Sequence, residues 1–306
     1  MKGAVISGAT GSIGTALIFH LIKEKMKVLV LYRGESARAD IIPDHPLIVK
    51  RRCSLDQMAT FYSGHDEKYD VFYHFAWAGT FGEVRNDMYL QNMNIKHTLD
   101  AVQLAKRLGC HTFIGAGTQA EYGRVEGKLT PETPTFPDSG YGIAKLCAGQ
   151  LSRIMCNQLG IRHIWTRILS VYGPRDNENT LVMSTIKKLL NDEQTYFTRG
   201  EQVWDFLYSE DAAKAFYLLG ERGIHDTIYC LGSGNPILLK DAIAEIISQI
   251  NPNAISGIGH LPYPPNQVMY LCADISRLNR DTGFAPVVSF KDGISRTIDW
   301  YKENRD

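Results

Sequence analysis

The sequence lacks the features that mark several classes of protein. None of its apolar runs approaches the roughly 20 residues that a membrane-spanning helix needs. Lysine plus arginine equals aspartate plus glutamate, 33 each, without a run of either sign, so neither a nucleic-acid nor a membrane partner is indicated. The six cysteines include no Cys-x-x-Cys pair, which favours reduced thiols over a disulfide or zinc framework and predicts no metal site. A strand pattern directly after Met1 leaves no room for a signal peptide, so we expect a cytoplasmic protein.

Short apolar runs alternate with helical spacing over the first two-thirds of the 306 residues. The apolar runs predict strands at 4–7, 27–31, 71–76, 111–115 and 164–169, and the helical spacing predicts helices at 13–25, 94–107 and 141–159. This alternation predicts an α/β fold with a Rossmann-like, doubly wound parallel sheet. After about Tyr172, prolines and polar residues interrupt the regular pattern.

A glycine-rich turn joins the first strand to the first helix. Gly8, Gly11 and Gly14 have the spacing G-x-x-G-x-x-G, with Thr10, Ser12 and Ile13 between them. Glycine lets the backbone approach a pyrophosphate, and the helix N-terminus offers free N–H groups to it. The turn therefore predicts a dinucleotide-binding domain over residues 1–170, with a return segment at about 208–231. We expect a smaller C-terminal substrate-binding region over 171–207 and 232–306.

The end of the second strand bears on the choice of dinucleotide. A carboxylate there would bind the adenosine ribose and disfavour a 2′-phosphate, but the sequence has Arg33 and no acid before Glu35. Arginine suits phosphate geometry, so Arg33 favours NADP(H) over NAD(H). The alternative is a solvated surface arginine without a ligand.

Four polar side chains form a candidate catalytic group. Tyr141 and Lys145 are four residues apart on one helix and share a face, where an ammonium can lower the pKa of a phenol. Thr118 follows a strand, and Asn94 is predicted to begin the long second helix. A phenol, an ammonium, a hydroxyl and a carboxamide together can bind a carbonyl and transfer a proton. The alternative for Tyr141 and Lys145 is an ordinary exposed helix pair.

These segments resemble the extended short-chain dehydrogenases/reductases, the NAD-dependent epimerase/dehydratase superfamily. The resemblance covers almost the whole chain and rests on the segments 8–14, 74–78, 94–98, 118–123, 141–145, 171–174 and 205–211. It implies Thr118, Tyr141 and Lys145 as the catalytic trio, supported by Asn94, with Tyr141 and Lys145 also holding the cofactor. It further implies cofactor contacts from Phe75, Ala76, Trp77, Ser54 and Leu55, and a homodimer through the helices at 94–107 and 141–159.

The departures from the family pattern reduce the number of family reactions that this chain can be expected to catalyse. The family's 4,6-dehydratases carry Asp-Glu after the catalytic threonine, where this chain has Gln119 and Ala120, so the resemblance argues against water elimination. Gln119 is then expected to contact the substrate. Ser170 stands where the family usually has asparagine, and Trp204 where an arginine often contacts the substrate diphosphate.

The replaced arginine leaves the diphosphate contact open. Arg175, Arg199 and Arg277 are candidates for it, and for each a surface salt bridge is the alternative. Trp204 either stacks on the base of a nucleotide or packs in the core, and Trp77 either lines the pocket or packs.

The segments 171–179 and 261–269 resemble the 4-ketoreductases of deoxysugar nucleotides, such as CDP-abequose and CDP-paratose synthases. The resemblance implies a nucleotide-sugar substrate and reduction of a 4-keto-6-deoxyhexose, and Arg33 agrees because reductive synthesis draws on NADPH. The first alternative is a nucleotide-sugar 4-epimerase with the same trio. The second is a non-catalytic NAD(P)-sensing protein, although such relatives commonly lose the tyrosine-lysine pair. The sequence leaves the nucleotide and the sugar open.

Overall fold

The structure, a computed structural model, describes residues 1–34, 39–62, 68–265 and 267–304. Its strands are β1 (Gly3–Ser7), β2 (Lys27–Tyr32), β3 (Ile48–Arg52), β4 (Val71–His74), β5 (Thr112–Thr118), β6 (Arg162–Ile168), β7 (Ser170–Tyr172), β8 (Val203–Trp204), β9 (Phe206–Tyr208), β10 (Thr227–Leu231), β11 (Ile237–Leu238) and β12 (Tyr270–Leu271). Its helices are α1 (Ser12–Lys23), α2 (Met88–Arg107), α3 (Gly140–Leu159), α4 (Leu181–Leu190), α5 (Ser209–Arg222), α6 (Leu239–Ile250), α7 (Ser276–Thr282) and α8 (Phe290–Glu303).

Seven strands form a parallel sheet in the order β10-β6-β5-β4-β1-β2-β3. The order reverses between β1 and β4, so the loops after these two strands diverge and leave a crevice at the carboxyl edge of the sheet. Helices α1 and α5 pack together on one face, and α2 and α3 pack together on the other. The predicted α/β doubly wound fold is confirmed.

Burial on both faces explains the apolar strands. All five residues of β1 and all four of β4 are buried, as expected for a parallel sheet that helices cover on both sides. Two separate apolar clusters fill the spaces above and below the sheet. The sheet is therefore a rigid base for the loops at its carboxyl edge.

The chain after residue 170 adds one strand, β10, to this sheet and builds two small sheets beside it. Their orders are β11-β8-β12 and β7-β9, and α4, α6 and α8 pack around a third apolar cluster. Asp205 joins the loops of this part: its buried carboxylate accepts hydrogen bonds from the backbone N–H groups of Ser233, Gly234 and Ala273 at 2.6–3.0 Å. The division into dinucleotide-binding and substrate-binding parts stays a prediction.

The long second helix begins six residues before its predicted start. Asp87 caps α2, because its carboxylate accepts a hydrogen bond from the backbone N–H of Leu90 at 3.0 Å. Asn94 therefore lies inside α2 rather than at its beginning. Within the described ranges, no helix has both the length and the apolar character needed to cross a membrane.

Candidate active site

The glycine-rich turn has the conformation that its spacing predicts. Gly8 has a positive φ of 75°, and a Cβ atom there would lie 2.5 Å from the backbone nitrogen of Ala76. A Cβ atom at Gly14 would lie 2.5 Å from the carbonyl oxygen of Gly8. Both glycines are therefore required by the close packing of the turn against the loop after β4 and against itself.

The helix end beside this turn suits an anionic group. No side chain caps the N-terminus of α1, so its first N–H groups point out of the helix without a side-chain acceptor. The Ser12 hydroxyl is buried and has no hydrogen-bond partner within the described part of the chain. These free donors and the positive end of the helix dipole fit the pyrophosphate of a dinucleotide.

A cavity of about 600 Å³ extends from this turn along the carboxyl edge of the sheet. It brings together most of the predicted cofactor residues: Gly8, Thr10, Gly11, Ser12, Arg33, Ser54, Leu55, Phe75, Ala76 and Trp77. Gly14 lies beneath the turn, and Ile13 packs against the apolar core. Arg33 is exposed at the cavity wall, and Glu35 lies outside the described residues.

Asp56 and His97 are among the residues of this cavity that the sequence analysis did not single out. The Ser54 hydroxyl donates to the Asp56 carboxylate at 2.5 Å, just after the end of β3. That hydrogen bond holds the pKa of Asp56 below its usual value. His97, on α2, also lines the cavity, and its buried Nδ1 has no partner among the described residues. The spacing Ser54-x-x-Gln57, a capping box, was the available signal for the first of these.

Tyr141 lies in the first turn of α3, next to the end of β5. Ser139 caps α3, and the Thr118 hydroxyl lies near enough to the Tyr141 phenol to lower its pKa. The Trp77 ring meets the Tyr141 ring edge-on, with their centroids 6.2 Å apart. The structure therefore brings together Thr118 and Tyr141, which are 23 residues apart in the sequence, beside the tryptophan of the cofactor cavity.

Lys145 lies one turn further along α3 and is buried. Its ammonium donates to the carbonyl oxygen of Ala116 at 2.6 Å and lies 3.8 Å from the centre of the Trp77 ring. Burial lowers the pKa of Lys145 to about 7, and the Glu121 carboxylate opposes this change. The ammonium is 5.8 Å from the centre of the Tyr141 ring.

The expected acidification of Tyr141 by Lys145 stays a prediction. Burial raises the pKa of Tyr141, and the Thr118 hydroxyl and the charge of Arg85 lower it. The Lys145 ammonium is directed to the carbonyl oxygen of Ala116 and to the Trp77 face, which are closer to it than the Tyr141 ring is. Arg85, whose guanidinium carbon is 4.4 Å from the centre of the Tyr141 ring, escaped the sequence analysis because 56 residues separate the two.

Asn94 fastens the loop that carries Trp77. Its side chain accepts from the backbone N–H of Ala78 at 3.0 Å and donates to the carbonyl oxygen of Ala78 at 2.9 Å. A longer hydrogen bond of 3.4 Å joins it to Gln91, which itself accepts from the Trp77 indole at 2.9 Å. Asn94 thus positions the loop, and its implied part in a proton relay stays a prediction.

A second cavity, of about 610 Å³, opens beside the first. Phe81 and Asp176 line both cavities, so the two are neighbours along one cleft. Burial raises the pKa of Asp176 to about 6. Most of the other lining side chains are apolar or aromatic, among them Leu169, Tyr196, Phe197, Trp204, Phe206 and Leu261.

Ser170 and Trp204, two departures from the family pattern, meet in this second cavity. The Trp204 indole donates to the Ser170 hydroxyl at 2.6 Å, so the replacements form a matched pair. This hydrogen bond fixes the indole in the cavity wall. The structure therefore brings the two residues together, and their contact with the substrate stays a prediction.

The other predicted substrate residues are dispersed. Arg175 lies at the cofactor-side cavity, Arg199 is exposed next to Thr198 of the second cavity, and Gln119 is half-buried directly after Thr118. Arg277 forms an ion pair with Glu132. Arg175 follows β7, Arg199 precedes β8, and Arg277 lies in α7. Residue 266, within the segment 261–269, lies outside the described residues.

No group of three or more histidine, cysteine, aspartate or glutamate side chains able to hold a metal ion occurs in the described parts of the chain. The site consists instead of a helix N-terminus with free donors, a crevice at the reversal of strand order, and a phenol-hydroxyl-ammonium group at the edge of that crevice. These features define a dinucleotide-binding α/β protein with a candidate proton-transfer site.

The comparison with known families agrees. The model of the "NAD dependent epimerase/dehydratase family" matches residues 4–232, and the chain belongs to that family. The curated dTDP-glucose 4,6-dehydratase of Neisseria gonorrhoeae is 23% identical over 346 aligned residues, which cover 99% of this chain and 96% of that protein.

Solved structures show the same fold. UDP-glucuronic acid 4-epimerase from Bacillus cereus, in complex with NAD, matches with a TM-score of 0.84 at 21% identity, covering 98% of this chain and 96% of that one. UDP-glucose 4-epimerase from Thermotoga maritima, with UDP-glucose, matches with a TM-score of 0.85 at 21% identity, covering 99% of this chain and 100% of that one. Likeness at this level of identity shows the fold alone.

Proposed function

We propose that the chain is an NAD(P)-dependent oxidoreductase that reduces a nucleotide-linked 4-keto-6-deoxyhexose at carbon 4. The observation that carries this proposal is the meeting of Tyr141 and Lys145 at Trp77, which lines the cofactor-side cavity: the Tyr141 ring centre lies 6.2 Å from the Trp77 ring centre, and the buried Lys145 ammonium lies 3.8 Å from it. A bound nicotinamide supplies the hydride for the carbonyl carbon. Tyr141 donates its phenolic proton to the carbonyl oxygen, which becomes a hydroxyl, and Thr118 orients that oxygen by a hydrogen bond.

The residues after Thr118 support reduction over dehydration. Gln119 and Ala120 provide no carboxylate at the positions where the family's 4,6-dehydratases carry Asp-Glu. Glu121 is the next acid, but it is fully buried and bonded to Arg167 and Trp165, so it does not replace them. Water elimination needs an acid and a base beside the sugar, and the two positions after Thr118 supply neither.

The competing proposal is a 4-epimerase, in which the same trio oxidises and then re-reduces carbon 4. It is favoured by epimerases among the solved structures with this fold, such as those from Bacillus cereus and Thermotoga maritima. The reactions differ in stoichiometry, because a reductase consumes one reduced nicotinamide per turnover and an epimerase consumes none. Loss of the reduced nicotinamide's near-ultraviolet absorbance therefore separates them.

The test uses the 4-keto-6-deoxyglucose derivatives of CDP, UDP, dTDP and GDP with NADPH or NADH. We expect oxidation of the reduced cofactor and a matching amount of deoxysugar nucleotide with one of them. Tyr141→Phe should abolish turnover, at least about 100-fold, because the proton donor is lost. Tyr62→Phe, at an exposed tyrosine, is the matched control.

The alternatives give other outcomes. Interconversion of sugars at constant absorbance would identify an epimerase. If Tyr141→Phe binds the cofactor normally and the cellular role survives, the protein is a sensor rather than a catalyst.

We further propose a preference for NADP(H), which rests on Arg33 alone. The side chain is exposed at the cavity wall at the end of β2, where it can reach a ribose 2′-phosphate. Arg33→Ala should weaken NADPH binding by about 10-fold, the effect of losing about 1.4 kcal/mol, and leave NADH binding unchanged. If Arg33→Ala weakens NADPH and NADH binding equally, or if the unaltered protein binds NADH more tightly than NADPH, this proposal is refuted.

A homodimer through α2 and α3 is also proposed. Both helices expose apolar side chains at the surface of the single chain, namely Met88, Tyr89, Met93, Ile143, Leu151 and Ile154. Such a patch is typical of an interface. Sedimentation should show a dimer, and Leu151→Glu with Ile154→Glu should shift it to a monomer, whereas exposed Ile255→Glu should not.

A further inference from the structure

Arg85 lies against the face of the Tyr141 ring. Its guanidinium carbon is 4.4 Å from the ring centre, and one of its nitrogens donates to the carbonyl oxygen of Thr80 at 3.0 Å. The side chain is half-buried and belongs to the short 3₁₀ turn Glu83–Asn86, which precedes α2. The guanidinium is therefore held on the ring by a second contact.

The turn that carries Arg85 is itself fastened to the site. Asn86 accepts a hydrogen bond from the backbone N–H of Gly140 at 2.9 Å, which ties the turn to the start of α3. The Gln91 amide donates to the carbonyl oxygen of Val84 at 3.1 Å. The relative position of Arg85 and Tyr141 is thus set by the fold on both sides.

We propose that Arg85 is a positioning residue, which orients the Tyr141 phenol and stabilises the negative charge left on it after proton donation. This role rests on the proposed function, since it matters only if Tyr141 transfers a proton. A cation over the face of an aromatic ring is attracted to it, and the attraction increases once the ring oxygen is ionised. Arg85 would then stabilise the ionised phenol of Tyr141, the role that the sequence analysis predicts for Lys145.

Charged and polar groups face Tyr141 from several elements. Arg85 comes from the turn before α2, Lys145 from α3 itself, and Glu121 from the turn after β5. Burial raises the pKa of Tyr141 and the Glu121 charge raises it further, while the Thr118 hydroxyl and Arg85 lower it. Arg167, paired with Glu121 at 2.9 Å, weakens the opposing influence. Replacing Arg85 therefore leaves the phenol with one acidic neighbour and the more distant ammonium.

The experiment follows ionisation of Tyr141 directly by NMR of the full-length protein labelled with ¹³C at the tyrosine Cζ, with Tyr141→Phe identifying the signal. Arg85→Gln should move the titration of Tyr141 upward by about one pH unit or more, the size of effect that an opposite charge at this distance has on an acid. Arg85→Lys should restore part of the difference. Arg153→Gln, which removes a cation from the outer part of α3, should leave the titration unchanged.

The reaction provides a second readout. With the substrate of the proposed reaction and excess NADPH, Arg85→Gln should shift the alkaline limb of kcat by the same amount and lower kcat more than it raises KM. A merely structural role would change the urea midpoint without moving either pH dependence. An unchanged Tyr141 titration in Arg85→Gln would overturn the inference.

The two proposals fail in different ways. The NMR titration needs no substrate, so absence of sugar turnover would refute the proposed function and leave the effect of Arg85 on Tyr141 measurable. If Tyr141→Phe abolishes turnover but Arg85→Gln keeps the unaltered pH profile, the proposed function stands and the role of Arg85 is refuted.

Discussion

The buried ion pair beneath Thr118 offers a direct test of how the site is held. The Glu121 carboxylate accepts from the backbone N–H of Thr118 at 2.8 Å, from the Trp165 indole at 3.0 Å and from Arg167 at 2.9 Å. The side chains of Glu121 and Arg167 are only 1% and 3% exposed. Glu121→Ala would leave the guanidinium buried without its counter-charge, and it would leave two N–H donors unpaired.

Removing one partner of a buried pair costs about 3–5 kcal/mol, against a total stability of about 5–15 kcal/mol for a typical domain. We therefore expect Glu121→Ala to lower the free energy of unfolding by at least about 3 kcal/mol, measured by urea titration. Arg167 keeps a contact with Pro131 at 3.3 Å and lies 4.4 Å from the centre of the Tyr122 ring, which places the loss at the lower end of this range.

The double variant Glu121→Met with Arg167→Met should be more stable than Glu121→Ala, because no unpaired charge remains. Glu178→Ala is the control, since its pair with Lys187 is exposed at both ends and should contribute less than about 1 kcal/mol. A loss in Glu121→Ala no larger than the loss in this control would refute the reasoning.

Three further predictions concern the cofactor turn and acid stability. Gly8→Ala should lower the free energy of unfolding by about 1–3 kcal/mol and abolish dinucleotide binding, because φ is 75° and the new Cβ would lie 2.5 Å from the backbone nitrogen of Ala76. Gly11→Ala is the control, since its Cβ would meet only a carbonyl oxygen at 3.8 Å, and it should cost less than half as much by urea titration. Ser12→Ala should weaken dinucleotide binding by about 3- to 10-fold, measured by calorimetry, and leave the urea midpoint unchanged, since the buried hydroxyl has no partner in the described chain to lose. Burial lowers the pKa of His74 to about 3 and that of His163 to about 4, so each stays neutral in the folded protein while the unfolded chain takes up protons below about pH 6.5. The stabilisation that comes from keeping both histidines neutral is complete above that pH and is lost as the pH falls, by about 2 kcal/mol each between pH 7 and 5. Asp176, with a pKa of about 6, acts in the opposite direction. Urea midpoints that stay level between pH 7 and 5, or that fall equally in His163→Gln, would contradict this prediction.

The sequence predicted the features that depend on local spacing. Gly8, Gly11 and Gly14 lie within seven residues, and their context between a strand and a helix fixes the turn. Tyr141 and Lys145 share a helix, so their common face follows from helical geometry alone. The strand predicted at 111–115 runs on to Thr118 as β5, and the place of Thr118 at the carboxyl edge follows from the parallel topology, which brings the carboxyl ends of all strands to one edge.

Features that depend on distant contacts were not predictable in the same way. Arg85 and Tyr141, or Ser170 and Trp204, meet only because the whole chain folds around the sheet. Lys145 was expected to act on the phenol, but the carbonyl of Ala116 and the face of Trp77 are closer to its ammonium. Spacing identifies which groups share a face, whereas the direction of each charged group depends on neighbours from other elements.

The second cavity, where Ser170 and Trp204 are paired, offers few positive charges to a substrate diphosphate. Within the described residues, the lining of the second cavity includes no lysine or arginine, while Asp176 lies between the two cavities. A diphosphate there would meet cations only at the edges, from Arg175 beside Asp176 and from the exposed Arg199 next to Thr198.

Exposed charges are screened over about 8 Å at physiological salt, so a diphosphate contact to the exposed Arg199 must depend on ionic strength more strongly than a contact to a buried arginine would. We therefore expect the affinity for UDP, CDP, dTDP or GDP to fall at least about 10-fold between 0.05 and 0.5 M salt, measured by calorimetry. Arg199→Gln should reduce that dependence, and Arg277→Gln, which removes a cation paired with Glu132, should not. A nucleotide affinity independent of salt would contradict this prediction and show that buried donors bind the diphosphate. The aromatic lining of the second cavity, including Trp204, would then be assigned to the base of the nucleotide.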